Sequence, residues 1–458
     1  MDKIQLLQER KAEILEAGKN IRNQIKAIID EDSFVELSAF SFSKNEFYGN
    51  EVAGEGVVTG FATINGYPFY IVAQNFEVLE GGISKANCDK IAKCLDAAKK
   101  NATPVIYLLN TRGVQVGEGV TVLEGLSSLL MKCTRLKGEV PQYAIVNGDV
   151  YGSAALLAAI ADFAFFIKGK SVLAVNSPFV ISAKSGKNLP KESVGGINAL
   201  TKTGLSTIEV DNLGETKEKI LALNEILGGS IVDAELNASI PALNEKVSAE
   251  NLMSIFETYV ELGENCESEV KTVLGRIGGI PVAALIFDGG ENGVELTASK
   301  MSKVTSFVSL AYDFNLPFLS FADVKGIAPC MDVNNSGVMK ETAEYLAMFE
   351  ALNVVEIPKI AVVYKKAIGL GYSLFAAKSM GFDYTCAFAN ASIALFDGVQ
   401  GAQIELSDEK VDKATLAARY AAENSDPIHA AKDGYIDGII EPQFVKQYLI
   451  ASLQMLVK

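Results

Sequence analysis

VTGFATINGYPFYIVAQ (58–74) and VLGRIGGIPVAALIFD (273–288) read alike, and so do the segments after each of them. After the first come a helical pattern, ISKANCDKIAKCLDAAKK (83–100), and an apolar run, TPVIYLLNTRG (103–113). After the second come ASKMSKVTSFVSLAYDF (298–314) and LPFLSFADVKG (316–326). Pro68 and Pro104 stand 36 residues apart, as do Pro281 and Pro317, and each of the later pair lies 213 residues beyond its counterpart. The likeness continues into PQYAIVNGDVYGSAALLAAIAD (141–162) and PKIAVVYKKAIGLGYSLFAAKS (358–379), where Pro141 and Pro358 differ by 217. Agreement of order, element type and spacing over roughly 100 residues identifies an internal repeat.

Within each copy, short β-branched and aromatic runs such as FYIVA, VIYLL and YAIV have the length of buried strands. The stretch after Ser84 places Ile91, Leu95 and Ala98 on one helical face. Strand–helix–strand alternation predicts an α/β architecture. A helix and a polar connecting segment occupy 212–264, so the boundary between copies is expected near 240–265. This gives an N-terminal helix over 1–30, a first domain over 31–240 and a second over 265–458. Helical patterns around 408–423 and 443–458 close the chain.

Two domains are also what 458 residues suggest, since single cores stop growing at roughly 250–300 residues. The formal net charge of −15 argues against a nucleic-acid partner, which requires clustered Lys and Arg. Cys88, Cys94, Cys133, Cys266, Cys330 and Cys386 are scattered, without a C-x-x-C pair. That pattern fits neither a metal site nor a disulfide framework and suits a reducing, cytoplasmic setting. The N-terminus is a charged amphipathic pattern and not a signal peptide. The most apolar stretch, Tyr151–Ile167, carries Asp162 and reads as a buried helix running into a buried strand.

Each copy passes from strand to helix through a glycine corner, Tyr151-Gly152-Ser153-Ala154 in one and Gly369-Leu370-Gly371-Tyr372 in the other. First-turn amides have no intrahelical acceptor, and the helix dipole favours negative charge beside them. Two such amides aimed into a cleft form an oxyanion hole for an enolate or a polarised carbonyl. Side-chain bases are scarce by comparison. His429 is the one histidine, in the polar segment SDPIHAAKDG (425–434), so a Ser–His–Asp triad built on Ser153 is poorly supported. No P-loop, H-E-x-x-H or strand-linked G-x-G-x-x-G is present.

These segments resemble the carboxyltransferase family of biotin-dependent enzymes, the acyl-CoA carboxylase carboxyltransferase subunits and the α-subunits of sodium-pumping acyl-CoA decarboxylases. The match runs in order through DSFVEL (32–37), GEGVVTGFATINGYPFYIVAQNF (54–76) with Gly81-Gly82, GVQVGEGV (113–120) and SFADVKGIAP (320–329). It continues through KKAIGLGY (365–372) and AAKDGYIDGIIEP (430–442). The resemblance implies two tandem crotonase-like domains built from ββα repeats. It implies transfer of a carboxyl group between biotin and a small acyl-CoA, with the biotin nitrogen as proton acceptor. One hole falls on Gly152 and Ser153, the other on Leu370 and Gly371. Gly81, Gly82, Arg112, Gly113, Val114, Tyr151 and Gly369 fall in the substrate-binding positions, and Ser373 where acyl-chain preference is tuned. No metal is implied. The family also implies a homo-oligomer, dimer or hexamer, with the site formed between the first lobe of one subunit and the second lobe of another. No A-M-K-M motif occurs, and Met131-Lys132-Cys133 lies in a helical pattern, so biotin must arrive on a separate carrier protein or biotin carboxylase subunit. A membrane decarboxylase subunit is a further partner of such α-subunits.

The chain departs from the family pattern at Ser153, at Leu370 and at Arg112-Gly113-Val114-Gln115, which replaces a Gly-Gly-Ala-Arg stretch. Arginine-rich flanking pieces that would serve the CoA phosphates are also missing. Two other readings stay open: a biotin-independent crotonase-like acyl-CoA enzyme using Glu118 or Asp149, and a non-catalytic structural paralogue.

Overall fold

A computed structural model describes residues 2–43, 52–200, 205, 207–228, 239–328, 337–405 and 412–457. Pro329, Cys330, the stretch 229–238 of the expected connection and 408–411 of the closing helical segment lie outside these residues. The chain divides into two compact units, Met1–Leu221 and Ala222–Lys458.

The first unit opens with α1 (Lys3–Ala17), α2 (Lys19–Lys26), β1 (Val35–Leu37), β2 (Phe42–Ser43) and β3 (Val52–Ala53). Its repeat copy comprises β4 (Val57–Ile64), β5 (Tyr67–Gln74), α3 (Lys85–Lys100), β6 (Val105–Thr111), α4 (Val120–Thr134), β7 (Gln142–Tyr151) and α5 (Ala155–Ile160). It ends with β8 (Phe163–Ile167), β9 (Val172–Ala174), α6 (Pro178–Ser185), α7 (Lys191–Gly195), α8 (Ile197–Leu200), β10 (Ile208–Val210) and α9 (Leu213–Gly228), in which the division between units falls. The sheet order is β1-β4-β5-β6-β7-β8-β10, with β9 beside β7.

The second unit begins with α10 (Ala242–Glu245), α11 (Ala249–Leu252) and β11 (Thr258–Leu262). Its copy comprises β12 (Val270–Ile277), β13 (Ile280–Phe287), β14 (Val294–Leu296), α12 (Ala298–Asp313), β15 (Phe318–Ile327), α13 (Val338–Val354), β16 (Lys359–Ile368) and α14 (Leu370–Phe375). Then come β17 (Tyr384–Phe388), β18 (Ser392–Ala394), α15 (Gly398–Glu405), α16 (Lys413–Asn424), α17 (Pro427–Lys432), β19 (Gly438–Ile440) and α18 (Val445–Leu456). The sheet order, β11-β12-β13-β15-β16-β17-β19, repeats the first.

The repeat holds residue by residue. Ile64 pairs with Tyr67 at the tip of one hairpin and Ile277 with Ile280 at the tip of the other. Tyr70 pairs with Val105, and Ala283 with Phe318, in the first parallel step of each unit. Four of the repeated prolines sit just ahead of parallel strands, where a missing N–H costs no ladder bond and the carbonyl starts the pairing. Pro104 accepts from Tyr70 (2.9 Å), Pro317 from Ala283 (2.9 Å), Pro141 from Val105 (2.9 Å) and Pro358 from Phe318 (2.8 Å). Helix starts repeat too: the Ser84 hydroxyl accepts the Asn87 N–H at 2.9 Å, and the Thr297 hydroxyl the Lys300 N–H at 3.3 Å. Such caps satisfy one of the orphan amides of the first turn. Ile91, Leu95 and Ala98 of α3 are buried in the first core, each of the larger two contributing about 1.5–3 kcal/mol.

Some elements differ from the sequence reading. The expected N-terminal helix is two helices broken at Gly18, whose amide closes the first by donating to Ile14. Residues 239–262, read as part of the connection, pack within the second unit: Ile240 N–H donates to the Gln443 carbonyl at 2.8 Å, and β11 forms the edge beside β12. No helix among the described residues is long and apolar enough to cross a membrane.

Each unit also buries a lysine at the same repeat position, with no carboxylate bonded to it among the described residues. Lys90 Nζ donates to the carbonyls of Val57 (2.7 Å) and Gly54 (3.2 Å). Lys303 Nζ donates to those of Cys266 (2.6 Å) and Gly263 (2.8 Å). Burial lowers both ammonium groups from 10.5 to about 8. Lys303→Met leaves two carbonyls without their donor and is expected to cost roughly 2–4 kcal/mol, whereas the exposed Lys93→Met costs little, as read by urea unfolding. Because the folded-state value lies below the unfolded one, the wild-type lysine gains stability as pH rises from about 8 toward 10.5. The deficit of Lys303→Met relative to wild type should therefore widen over that range.

Candidate functional site

Strand β7 stays extended through Tyr151 (φ −120°, ψ 160°) and then turns at Gly152, whose φ is +71°. That left-handed conformation favours glycine. A single 3-10 turn, Gly152–Ala154, leads into α5, with the Ala155 N–H reaching back to Gly152 O. The amides of Gly152 and Ser153 thus head the helix, where no intrahelical acceptor exists for them. Gly113 lies against this turn: a methyl group built on Gly152 would sit 3.7 Å from Gly113 Cα, and one on Gly113 3.4 Å from the Tyr151 carbonyl oxygen.

The other predicted residues of this unit collect beside that corner. Ile83 and Val114 form a parallel bridge, fixed by Ile83 N–H to Gly113 O (2.9 Å) and Gln115 N–H to Ile83 O (2.8 Å). Gly81 (φ +64°) presses on Asn110, whose carbonyl oxygen a side chain there would overlap. Leu79, Glu80, Gly82, Arg112, Gly113 and Gln115 line an open cavity of about 650 Å³. A second, apolar cavity of about 420 Å³ lies behind α5 among Leu156, Leu173, Val175 and Ile181. Burial, the neighbouring Asp149 charge and a hydrogen bond to Asp149 push the Tyr151 phenol up to about 12.

In the second unit β16 turns at Gly369 (φ +53°) into α14. Gly369 N–H completes the sheet by donating to Ala394 O (2.9 Å), while Tyr372 and Ser373 donate to Gly369 O at 3.1 and 3.3 Å. Leu370 and Gly371 therefore supply the first-turn amides. Gly371 rests on β15, where an added methyl would come within 2.7 Å of Val324 O. Ser373 is exposed on the same helix. The structure therefore groups Gly81, Gly82, Arg112, Gly113, Val114, Tyr151, Gly152 and Ser153 in the first unit, and Gly369, Leu370, Gly371 and Ser373 in the second.

Several residues at the corners escaped the sequence reading. Asp323 is fully buried, accepts the Gly289 N–H at 3.0 Å and lies 3.6 Å from Lys365 Nζ. Burial raises its carboxyl, against the pull of the Gly289 amide and of Lys365 and Lys366. Lys365 also bonds Asp288 (3.2 Å) and Gly290 O (3.3 Å), and Lys366 bonds Glu291 O. The loop 288–293 is thereby clamped over β16. The one available signal was the repeat itself, which carries Asn110 onto Asp323 and Gly113 onto Gly326.

The candidate bases are engaged in contacts of their own. Glu118 accepts the Lys85 N–H at 2.7 Å and caps α3, and Asp149 pairs with Lys191 at 2.9 Å. His429 is exposed on α17.

The sequence profile of the carboxyl transferase domain matches residues 15–458. The chain belongs to this carboxyltransferase family. It is 27% identical over 99% of its length to the propionyl-CoA carboxylase carboxyltransferase subunit of Haloferax mediterranei, of which 96% is covered. It is 26% identical to the methylmalonyl-CoA decarboxylase subunit alpha of Veillonella parvula, covering 99% of this chain and 96% of that one. Among solved structures, transcarboxylase 12S, determined as a hexamer with methylmalonyl-coenzyme A bound, superposes with a TM-score of 0.89 at 22% identity, covering 99% of this chain and 95% of the other. The fold is that of this carboxyltransferase, two tandem crotonase-like domains.

The tight packing at Gly81 gives a direct check. Gly66 and Gly81 both have positive φ, but a methyl at Gly66 meets open space, whereas one at Gly81 meets backbone. Gly66→Ala is expected to cost about 1 kcal/mol from conformation alone, and Gly81→Ala clearly more, as compared by urea unfolding midpoints.

Proposed function

We propose that this carboxyltransferase moves a carboxyl group between biotin, carried on a separate protein, and a small acyl-CoA of the malonyl, methylmalonyl or propionyl kind. The observation that carries the reading is the pair of repeat-related corners, each a positive-φ glycine delivering two first-turn amides. The names of the relatives, propionyl-CoA carboxylase and methylmalonyl-CoA decarboxylase, support the substrate class and both directions of transfer.

In this reading the amides of Gly152 and Ser153 hold the thioester oxygen, and stabilise it as charge develops on it. The amides of Leu370 and Gly371 hold the ureido carbonyl of biotin. The fit is supported by Gly371, whose bare backbone lies flat on Val324, and by Gly369 N–H being spent in the sheet, which leaves just those two amides for a carbonyl. When bound, biotin supplies the carboxyl acceptor and the proton acceptor that the chain's own side chains do not. The first corner is the better place for the larger ligand, because its flanking space is an open cavity. In the second unit Lys365 and Lys366 bond the loop 288–293 beside the corner.

We further assign the subunit to a homo-oligomer in which the first unit of one copy faces the second unit of another. Apolar side chains stand exposed at the matched place just after the last corner strand of each unit: Val175, Phe179 and Val180 after β9, and Leu395, Val399 and Ile404 after β18. Exposed patches of this kind mark interaction surfaces. The carrier, a biotin carrier protein or biotin carboxylase subunit, completes the complex.

The test is release of the carboxyl group from malonyl-CoA and methylmalonyl-CoA with and without free biotin. Ser153→Pro and Leu370→Pro each delete one amide donor within the first helical turn, where proline is tolerated. Each is expected to cut biotin-dependent turnover at least about a hundredfold while circular dichroism stays unchanged. Turnover that ignores biotin would instead establish a biotin-independent acyl-CoA enzyme.

A further inference from the structure

We infer that Arg112 reads a negatively charged group of the acyl-CoA ester at the first corner, so that this corner is selective for anionic ligands and its counterpart is not. The inference rests on the proposed carboxyltransferase activity and adds to it the residue that recognises the ester's charge.

Arg112 immediately precedes Gly113, the residue packed against Tyr151 and Gly152, and its side chain lines the cavity beside them. It is held at three points. Its backbone N–H donates to Glu80 O at 3.2 Å, its Nε lies 3.7 Å from the Glu80 carboxylate, and its guanidinium sits 5.7 Å from the Phe76 ring centroid. The side chain is nevertheless 63% exposed. A guanidinium presents five N–H donors in a planar fork suited to carboxylates and phosphates, and among the described residues its one ion pair is the long contact at Nε.

The loop that sets this geometry is unusual. Leu79 and Glu80 both take left-handed φ, +51° and +52°, directly before Gly81 at +64°. Consecutive non-glycine residues in that region are rare, and such conformations persist where surrounding structure imposes them, often at functional sites. Here Gln115 Nε2 pins the loop by donating to Leu79 O at 3.0 Å.

The repeat supplies a built-in comparison. The residue 213 positions on is Lys325, which also precedes a glycine, Gly326 (φ +101°), against the second corner. Lys325 is closed off by two carboxylates, Asp397 at 3.1 Å and Glu295 at 3.8 Å, and is only 28% exposed. The cation of the second unit is thus held by two carboxylates, whereas that of the first has the one long contact with Glu80 and lines a cavity. An acyl-CoA carries two kinds of anion that could meet it, the free carboxylate of a dicarboxylic acyl group and the phosphates of CoA.

Dissociation constants of malonyl-CoA, acetyl-CoA, malonyl-pantetheine and acetyl-pantetheine, measured by calorimetry for wild type, Arg112→Gln and Arg112→Lys, separate these. If Arg112 reads the acyl carboxylate, Arg112→Gln weakens both malonyl esters about tenfold or more and leaves both acetyl esters unchanged. If it reads CoA phosphate, both CoA esters weaken and both pantetheine esters do not. Arg112→Lys should recover part of the loss in either case. Four constants within twofold of wild type, or an equal loss on all four including acetyl-pantetheine, would overturn the inference. Wild-type protein that binds these esters but shows no biotin-dependent turnover would sink the carboxyltransferase reading and leave Arg112's role standing.

Discussion

A slip in register between the two central parallel strands is the constraint on which each unit is built. In the first unit β6 and β7 run in step from Val105 opposite Gln142 to Leu109 opposite Val146, and then Thr111 faces Val150. In the second, Ala322 faces Val363 and then Val324 faces Ala367. Both later strands take up extra residues at the same step. A bulge of this kind bends the strand and re-aims the residues beyond it, which in each unit form the glycine corner. The turn at Gly152 or Gly369, the approach of Gly113 or Gly326, and the direction of the first-turn amides all descend from it.

The two units solve the same constraint with different chemistry. At the first bulge Gly148 lies directly against the Asn110 side chain, with no room for a side chain of its own. At the second the same place carries Lys365, and the residue facing it is the buried Asp323. Asp288 and Asp323 face that ammonium and also fix the loop 288–293. At the first bulge Gly148 carries no such clamp, and the loop there lines a cavity. A charged bulge ties its loop down. One fold duplicated in tandem thereby yields two corners with different surroundings.

Much of this was legible because the repeated prolines and helix caps do a physical task that has to be done twice. Pro104 and Pro317 start parallel ladders, and Ser84 and Thr297 cap the helices that cross over them, so these residues recur at a fixed offset. The edges were not legible. β19 has three residues and β11 lies in polar surroundings, too short or too mixed for periodicity to separate them from loop. The charged pair of Asp323 and Lys365 was invisible for another reason. Nothing in SFADVKG or YKKAIG says that these side chains meet, since their pairing depends on the register slip and not on local spacing.

The departures from the family pattern, which cast doubt on the corners at the level of sequence, fall where a side chain does no harm. Glycine is demanded by conformation at Gly152 and Gly369, both at positive φ, and by contact at Gly371, which abuts Val324. Ser153 and Leu370 come one residue after the positive-φ glycine, in helical conformation. A hydrogen-bond donor on the main chain does not depend on what the residue's own side chain is, and Leu370 directs nearly half of its surface outward. The glycines retained are therefore those that the geometry of the corners needs, and the positions that carry side chains are those that it does not.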